Sequence, residues 1–106
     1  MGENERAIEV LRAQLSDNPE DIRALLWLGD LLVRTGKPDE AAGPYWRAAD
    51  LYERDGFFLK AAAVCKQIYL LGSGQHLAVR TALTRLAEVL GLPLEVLLPK
   101  AARGNG

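Results

Sequence analysis

Apolar residues recur at helical spacing along most of the chain, and polar or glycine-containing breaks divide them into five long segments and a short one. Ala7, Ile8, Leu11 and Leu15 predict a first helix over residues 5–16, halted at Ser16-Asp17-Asn18-Pro19. Asn18 as N-cap, Pro19 at the first helical position, and Glu20 and Asp21 beside the positive helix end predict a second helix over 20–35. It carries Ile22, Leu25, Leu28, Gly29 and Leu32 and stops at Gly36. Pro38, Asp39 and Glu40 repeat the start signal for a third helix over 38–55, followed by Ala41, Tyr45, Ala48, Ala49 and Tyr52. Pro44 withholds one backbone donor there, which allows a kink or a late start. Residues 57–71 are strongly polar only at Lys60, Lys66 and Gln67, so this fourth helix is buried on several sides or awaits a partner. Gly72-Ser73-Gly74 ends it, a fifth helix spans 77–90, and after Gly91 Pro93 opens a short sixth with Leu94, Leu97 and Leu98. Residues 103–106 read as a frayed end.

Composition agrees with an all-α fold. Of 106 residues, 19 are leucine and 15 alanine, against six valines, three isoleucines and three threonines, so helix formers far outnumber strand formers. The length suits one domain over 1–106, and 49% hydrophobic with 25% charged residues argues against a disordered tail or a membrane span. The opening MGENERAIEV has no apolar run for a signal sequence or membrane helix, and Arg6 occupies the position where N-myristoylation needs Ser or Thr. A cytoplasmic setting is expected. One cysteine and one histidine exclude disulfide scaffolds and zinc modules.

The net charge of −1 hides a gradient: −4 over residues 1–21, −1 over 22–56 and +4 over 57–106. In an elongated fold this becomes a polar axis able to steer partners or promote head-to-tail contact.

An internal repeat fixes the architecture. A shift of 20 residues pairs Asp30 with Asp50, Leu31 with Leu51, Arg34 with Arg54, Gly36 with Gly56, Ala41 with Ala61 and Ala42 with Ala62. A fainter shift of 35 pairs Leu51 with Leu86 and Gly56 with Gly91, and the first copy against the third pairs Pro38 with Pro93 and Glu40 with Glu95. At these residues the chain resembles the tetratricopeptide repeat family, whose unit is two antiparallel helices with a spaced pattern of small and large residues. In the best copy, 22–55, Leu25 stands where the family prefers Trp, Leu28-Gly29 is its Leu-Gly pair, Leu32 replaces Tyr, and Ala41, Tyr45 and Ala48 match the second helix. Glu53 replaces the closing Pro. Ala7, Leu11 and Pro19 resemble one half-repeat and Ala61, Cys65 and Ile68 another, so 5–71 holds the clearest repeats and 76–103 a degenerate or capping one. The resemblance implies a right-handed solenoid of helical hairpins with about six antiparallel helices. Gly29 opposite Ala41 and Ala48 would let two helix axes approach closely.

The resemblance also implies a non-enzymatic adaptor or scaffold that docks a protein or peptide in a concave groove lined by the first helix of each repeat, and nine arginines against four lysines, with the alanine content, suggest a bacterial-type protein. On the helix 20–35, Arg23, Leu26, Trp27, Asp30, Val33 and Arg34 face away from the packing set and would line it. The alternative packs Trp27 into a neighbouring helix and leaves the charges solvated. Leu26 and Asp30 stand where chaperone adaptors of this family carry a carboxylate-binding Lys-Asn pair, which disfavours chaperone tails. A second surface is the apolar face around Phe57, Phe58, Leu59 and Tyr69, with the segment 94–98 as a cap over it. Cys65 matches an interior packing position, and His76, without a second ligand, reads as an exposed loop residue. Glu20-Asp21 and Asp39-Glu40 suit first helical turns without catalytic work. With no phosphate loop or hydrolase motif, neither enzyme activity nor a metal or cofactor is expected. Two alternatives remain. The N-terminal half-repeat and opposite end charges suggest a self-assembling homo-oligomer. Residues 83–98 resemble the last helices of lambda-type helix-turn-helix repressors, but the DNA-reading portion would fall in 57–71, which has few cations, so no nucleic acid is expected.

Overall fold

A computed structural model describes residues 2–72 and 74–100. Among these described residues six helices follow in order: α1 (Glu3–Asp17), α2 (Ile22–Arg34), α3 (Pro38–Arg54), α4 (Phe58–Leu70), α5 (His76–Leu90) and α6 (Leu94–Leu97). Each packs chiefly on its neighbours in sequence, giving a slab of 44 × 30 × 16 Å. This is the helical-solenoid architecture that the periodicity and the repeat imply; the frayed end at 103–106 lies outside the described residues.

The 20-residue repeat is a repeat of one turn. Gly36 and Gly56 both adopt left-handed conformations, φ 79° and 84°. In each the next residue donates back to the carbonyl five residues earlier, Lys37 N to Leu32 O and Phe57 N to Tyr52 O, both 2.8 Å. Gly91 closes α5 in the same way, with Leu92 N on Ala87 O at 3.0 Å. Because the turns match, the paired residues take equivalent places in the core: Leu31 and Leu51, Ala41 and Ala61, and Ala42 and Ala62 are all buried. Leu32, Ile68, Leu83 and Leu86 are the large, almost fully enclosed side chains, each stabilising the stack by roughly 1.5–3 kcal/mol.

Three local expectations change. The second helix starts at Ile22, capped by Asp21, whose Oδ1 accepts the Ala24 amide at 3.1 Å; Asn18 instead closes a preceding turn, its carbonyl accepting Asp21 N at 3.2 Å. A carboxylate nearer the helix end outcompetes the upstream Asn-Pro signal. Pro44 neither ends nor delays α3, which runs on to Arg54, leaving the lost donor opposite the exposed Glu40 segment. Gly29 is matched to Tyr45 rather than to Ala41 and Ala48: a Cβ there would lie 2.7 Å from Tyr45 Cδ1, so the missing side chain makes room for the phenol ring.

Candidate functional site

The helices form two rows. α1, α3 and α5 are tied across by Arg12–Glu40 at 3.3 Å and by a two-pronged Arg85–Glu53 pair at 2.9 Å. α2 and α4 lie on the other side of α3 and border a groove of about 380 Å³. Its floor is Tyr45 and Tyr52 of α3, one wall is Leu26 and Asp30 of α2, and the other is Lys60, Ala63, Val64 and Gln67 of α4.

The floor is held from below and from the side. Tyr45 is buried over Gly29, and its hydroxyl donates to Asp30 Oδ1 at 2.5 Å. Burial first, and then the bond to the Asp30 carboxylate, push the Tyr45 phenol well above its usual range, so the hydroxyl stays a donor. Tyr52 meets Phe57 edge-on with centroids 6.3 Å apart, and the Lys60 ammonium sits 5.0 Å from the Phe57 ring and 5.8 Å from the Tyr52 ring. The groove thus offers an aromatic floor between an anionic and a cationic wall. It can grip an apolar side chain and hydrogen-bond or pair with polar groups beside it.

The six residues expected to line one groove divide. Leu26 and Asp30 line this one. Arg23 and Trp27 border a smaller cleft of about 200 Å³ against Leu11, Gln14 and Asp21. Here Gln14 donates to Asp21 at 2.8 Å, and the Ala24 amide, with Gln14, holds the Asp21 carboxyl below its ordinary range. Val33 and Arg34 stay on the exposed surface beyond both. Trp27 is 61% exposed, so it does not pack into a neighbouring helix. Arg23, Leu26, Trp27 and Asp30 stand at i, i+3, i+4 and i+7 on one helical face, and the division lies in what that face meets, α1 beside Arg23 and Trp27 and α4 across from Leu26 and Asp30.

The second expected surface also separates. Phe57, Phe58 and Leu59 gather with Leu90 at one end of α4, while Tyr69 lies eleven residues on, about 16 Å along the axis. There Tyr69 stacks on His76 at 3.9 Å, and the His76 ring bonds the Tyr69 carbonyl at 3.2 Å. His76 is therefore the first residue of α5 rather than part of the loop, although it remains exposed. The cap expected from 94–98 packs on α5 through buried Leu97 and Leu98 and leaves Phe57 51% and Leu59 61% exposed. Cys65 is buried in α4, and that burial pushes its thiol up to about 11.

Sequence reasoning did not assign Tyr45, Tyr52, Lys60, Ala63, Val64 and Gln67 to a groove. The last four were legible as one, because they stand at i, i+3, i+4 and i+7, a single helical face. It also missed a hollow of about 690 Å³ between α3 and α5, where Trp46 donates to Gln75 at 2.9 Å. That hollow is larger, but its one charged wall residue, Arg85, is already engaged by Glu53, which leaves less polar chemistry for a ligand.

Residues 1–43 match the tetratricopeptide repeat family. The match spans α1, α2 and the first turn of α3, including the Leu28-Gly29 pair and Ala41. Tetratricopeptide repeats generally mediate protein–protein interaction. No curated protein and no solved structure gives a significant match. Among the described residues, no helix is long and apolar enough to cross a membrane.

Proposed function

We propose that this tetratricopeptide repeat chain is a non-enzymatic docking module that holds a segment of a partner protein in the groove between α2 and α4. The observation that carries the reading is the groove itself: an aromatic floor, Tyr45 and Tyr52, flanked by Asp30 and Lys60 on opposite walls. Gly29 and the Tyr45–Asp30 bond fix the floor in advance, so binding would not have to order it. The family match over α1 and α2 supports the same reading, since one wall belongs to the matched segment. The repressor-like stretch 83–98 gains no comparable support, because α4, immediately upstream, is enclosed through Ala61, Ala62, Val64, Cys65 and Ile68.

Photo-crosslinking tests the proposal. A photoreactive residue at exposed Ala63, on the groove wall, should capture a defined partner in cells, and one at exposed Thr84 of α5 should not. Equal capture at both positions, or capture at Thr84 alone, would overturn it.

A further inference from the structure

The fold redistributes the charge gradient of the sequence. α1, α3 and α5, one row of the fold, carry nine Asp and Glu against six Arg, a net −3. α2 and α4 carry Arg23, Arg34, Lys60 and Lys66 against Asp30 alone, a net +3. The ion pairs follow the same division. Arg12–Glu40, Arg54–Glu20, Arg54–Asp55 and Arg85–Glu53 all involve α3 or its immediate ends. Among the described residues, none of the four cations of α2 and α4 has a carboxylate within 4.0 Å. The one anion of this face is partly satisfied already, since Asp30 accepts the Tyr45 hydroxyl.

We propose that the α2–α4 face receives an acidic segment of a partner protein, with an apolar side chain on the Tyr45–Tyr52 floor, one carboxylate on Lys60 in the groove, and others on Arg23 and Arg34 of the exposed α2 surface outside it. This rests on the docking reading above and specifies its ligand. Exposed Trp27, between Arg23 and Arg34, supplies a further apolar contact beside the charges. A 13-residue helix is about 20 Å long, enough for about six residues of extended chain. Few cations for that length, and an anion on the groove wall itself, favour an acidic peptide over a nucleic acid, whose phosphates need denser positive charge. Exposed like charges on a helix face cost the fold little to keep, and opposite charges on a ligand raise its association rate and select it over basic competitors.

Selection from a displayed library of random peptides tests this and requires no identified partner. Selected peptides should be enriched in Asp and Glu around one or two Leu, Phe or Trp. Labelled versions should bind about tenfold more weakly when their acids are changed to Asn and Gln, and weaken steeply with added NaCl. The variant R23E/R34E/K60E should lose binding, and R23Q/R34Q/K60Q should lose part of it; circular dichroism checks that both fold. Ala63→Glu separates this idea from the docking reading. Selected peptides that Ala63→Glu blocks, yet that carry no acidic bias, would overturn the charge proposal and leave the groove standing. Selected peptides indifferent to Ala63→Glu and to charge reversal would overturn both. Binding to phosphatidylserine vesicles or single-stranded DNA, without acidic peptides being selected, would also overturn it.

Discussion

Gly29→Ala perturbs the contact on which the groove floor rests. A Cβ at this position would stand 2.7 Å from Tyr45 Cδ1 and 2.8 Å from Cζ, about 1 Å inside a normal carbon–carbon contact. In an open helix interior the same change stabilises by about 1 kcal/mol, because glycine loses more backbone freedom than alanine. Here the ring has little room to yield: Tyr45 is only 3% exposed, and its hydroxyl is held by Asp30. Overpacking of this kind costs about 1–3 kcal/mol, so a net loss of about 1–2 kcal/mol is expected after the propensity gain. Urea titration followed by circular dichroism measures it, and the melting temperature should fall by about 4–8 °C per kcal/mol for a chain of this size. A double-mutant cycle isolates the cause. On a Tyr45→Leu background, which lacks the ring, Gly29→Ala should cost far less or stabilise. If Gly29→Ala were as stable as wild type on the native background, the seating of Tyr45 over Gly29 would be refuted.

Other consequences follow from single groups. Arg85 holds the Glu53 carboxyl below its ordinary 4.5, so this contribution is fully present above that pH and is lost as the pH falls from there through the lowered folded-state value. Glu53→Gln should therefore cost about 0.5–1 kcal/mol at neutral pH by urea titration, and the difference from wild type should shrink in acid. Cys65, with its thiol raised to about 11 by burial, should resist a thiol reagent at pH 8 in the folded protein and react fully in denaturant. Asp21→Ala should lower the thermal midpoint while Asn18→Ala leaves it nearly unchanged, because the Asp21 carboxylate receives the Ala24 amide at the start of α2.

The helices were legible because their signals are local. Glycines at 36, 56 and 91 follow complete apolar stripes, and each adopts the left-handed turn that ends its helix. The start of α2 is ambiguous in sequence because two capping signals three residues apart, Asn18 and Asp21, read alike, and only the folded geometry shows which side chain reaches the amides. The candidate site was half legible. The exposed face of α2 follows from its own periodicity, whereas its division into a cleft against α1 and a groove against α4 depends on where those helices lie. Tyr45 shows the same limit. Its spacing marks it as a packing residue, but its dual part as core filler over Gly29 and groove floor beside Asp30 arises from a contact between residues 15 apart. Asp30 and Lys60 have the look of ordinary solvated charges in sequence, and only the placement of α2 and α4 along one face gathers them.

The most direct test of the docking groove is a two-dimensional amide NMR titration of the labelled protein with the segment captured at Ala63. Shifts confined to Leu26, Asp30, Tyr45, Tyr52, Lys60, Ala63, Val64 and Gln67, and their neighbours on α2 and α4, are the expected result. Shifts centred instead on Trp46, Leu77, Ala78 and Thr81 would place the partner in the α3–α5 hollow and contradict the assignment of the groove.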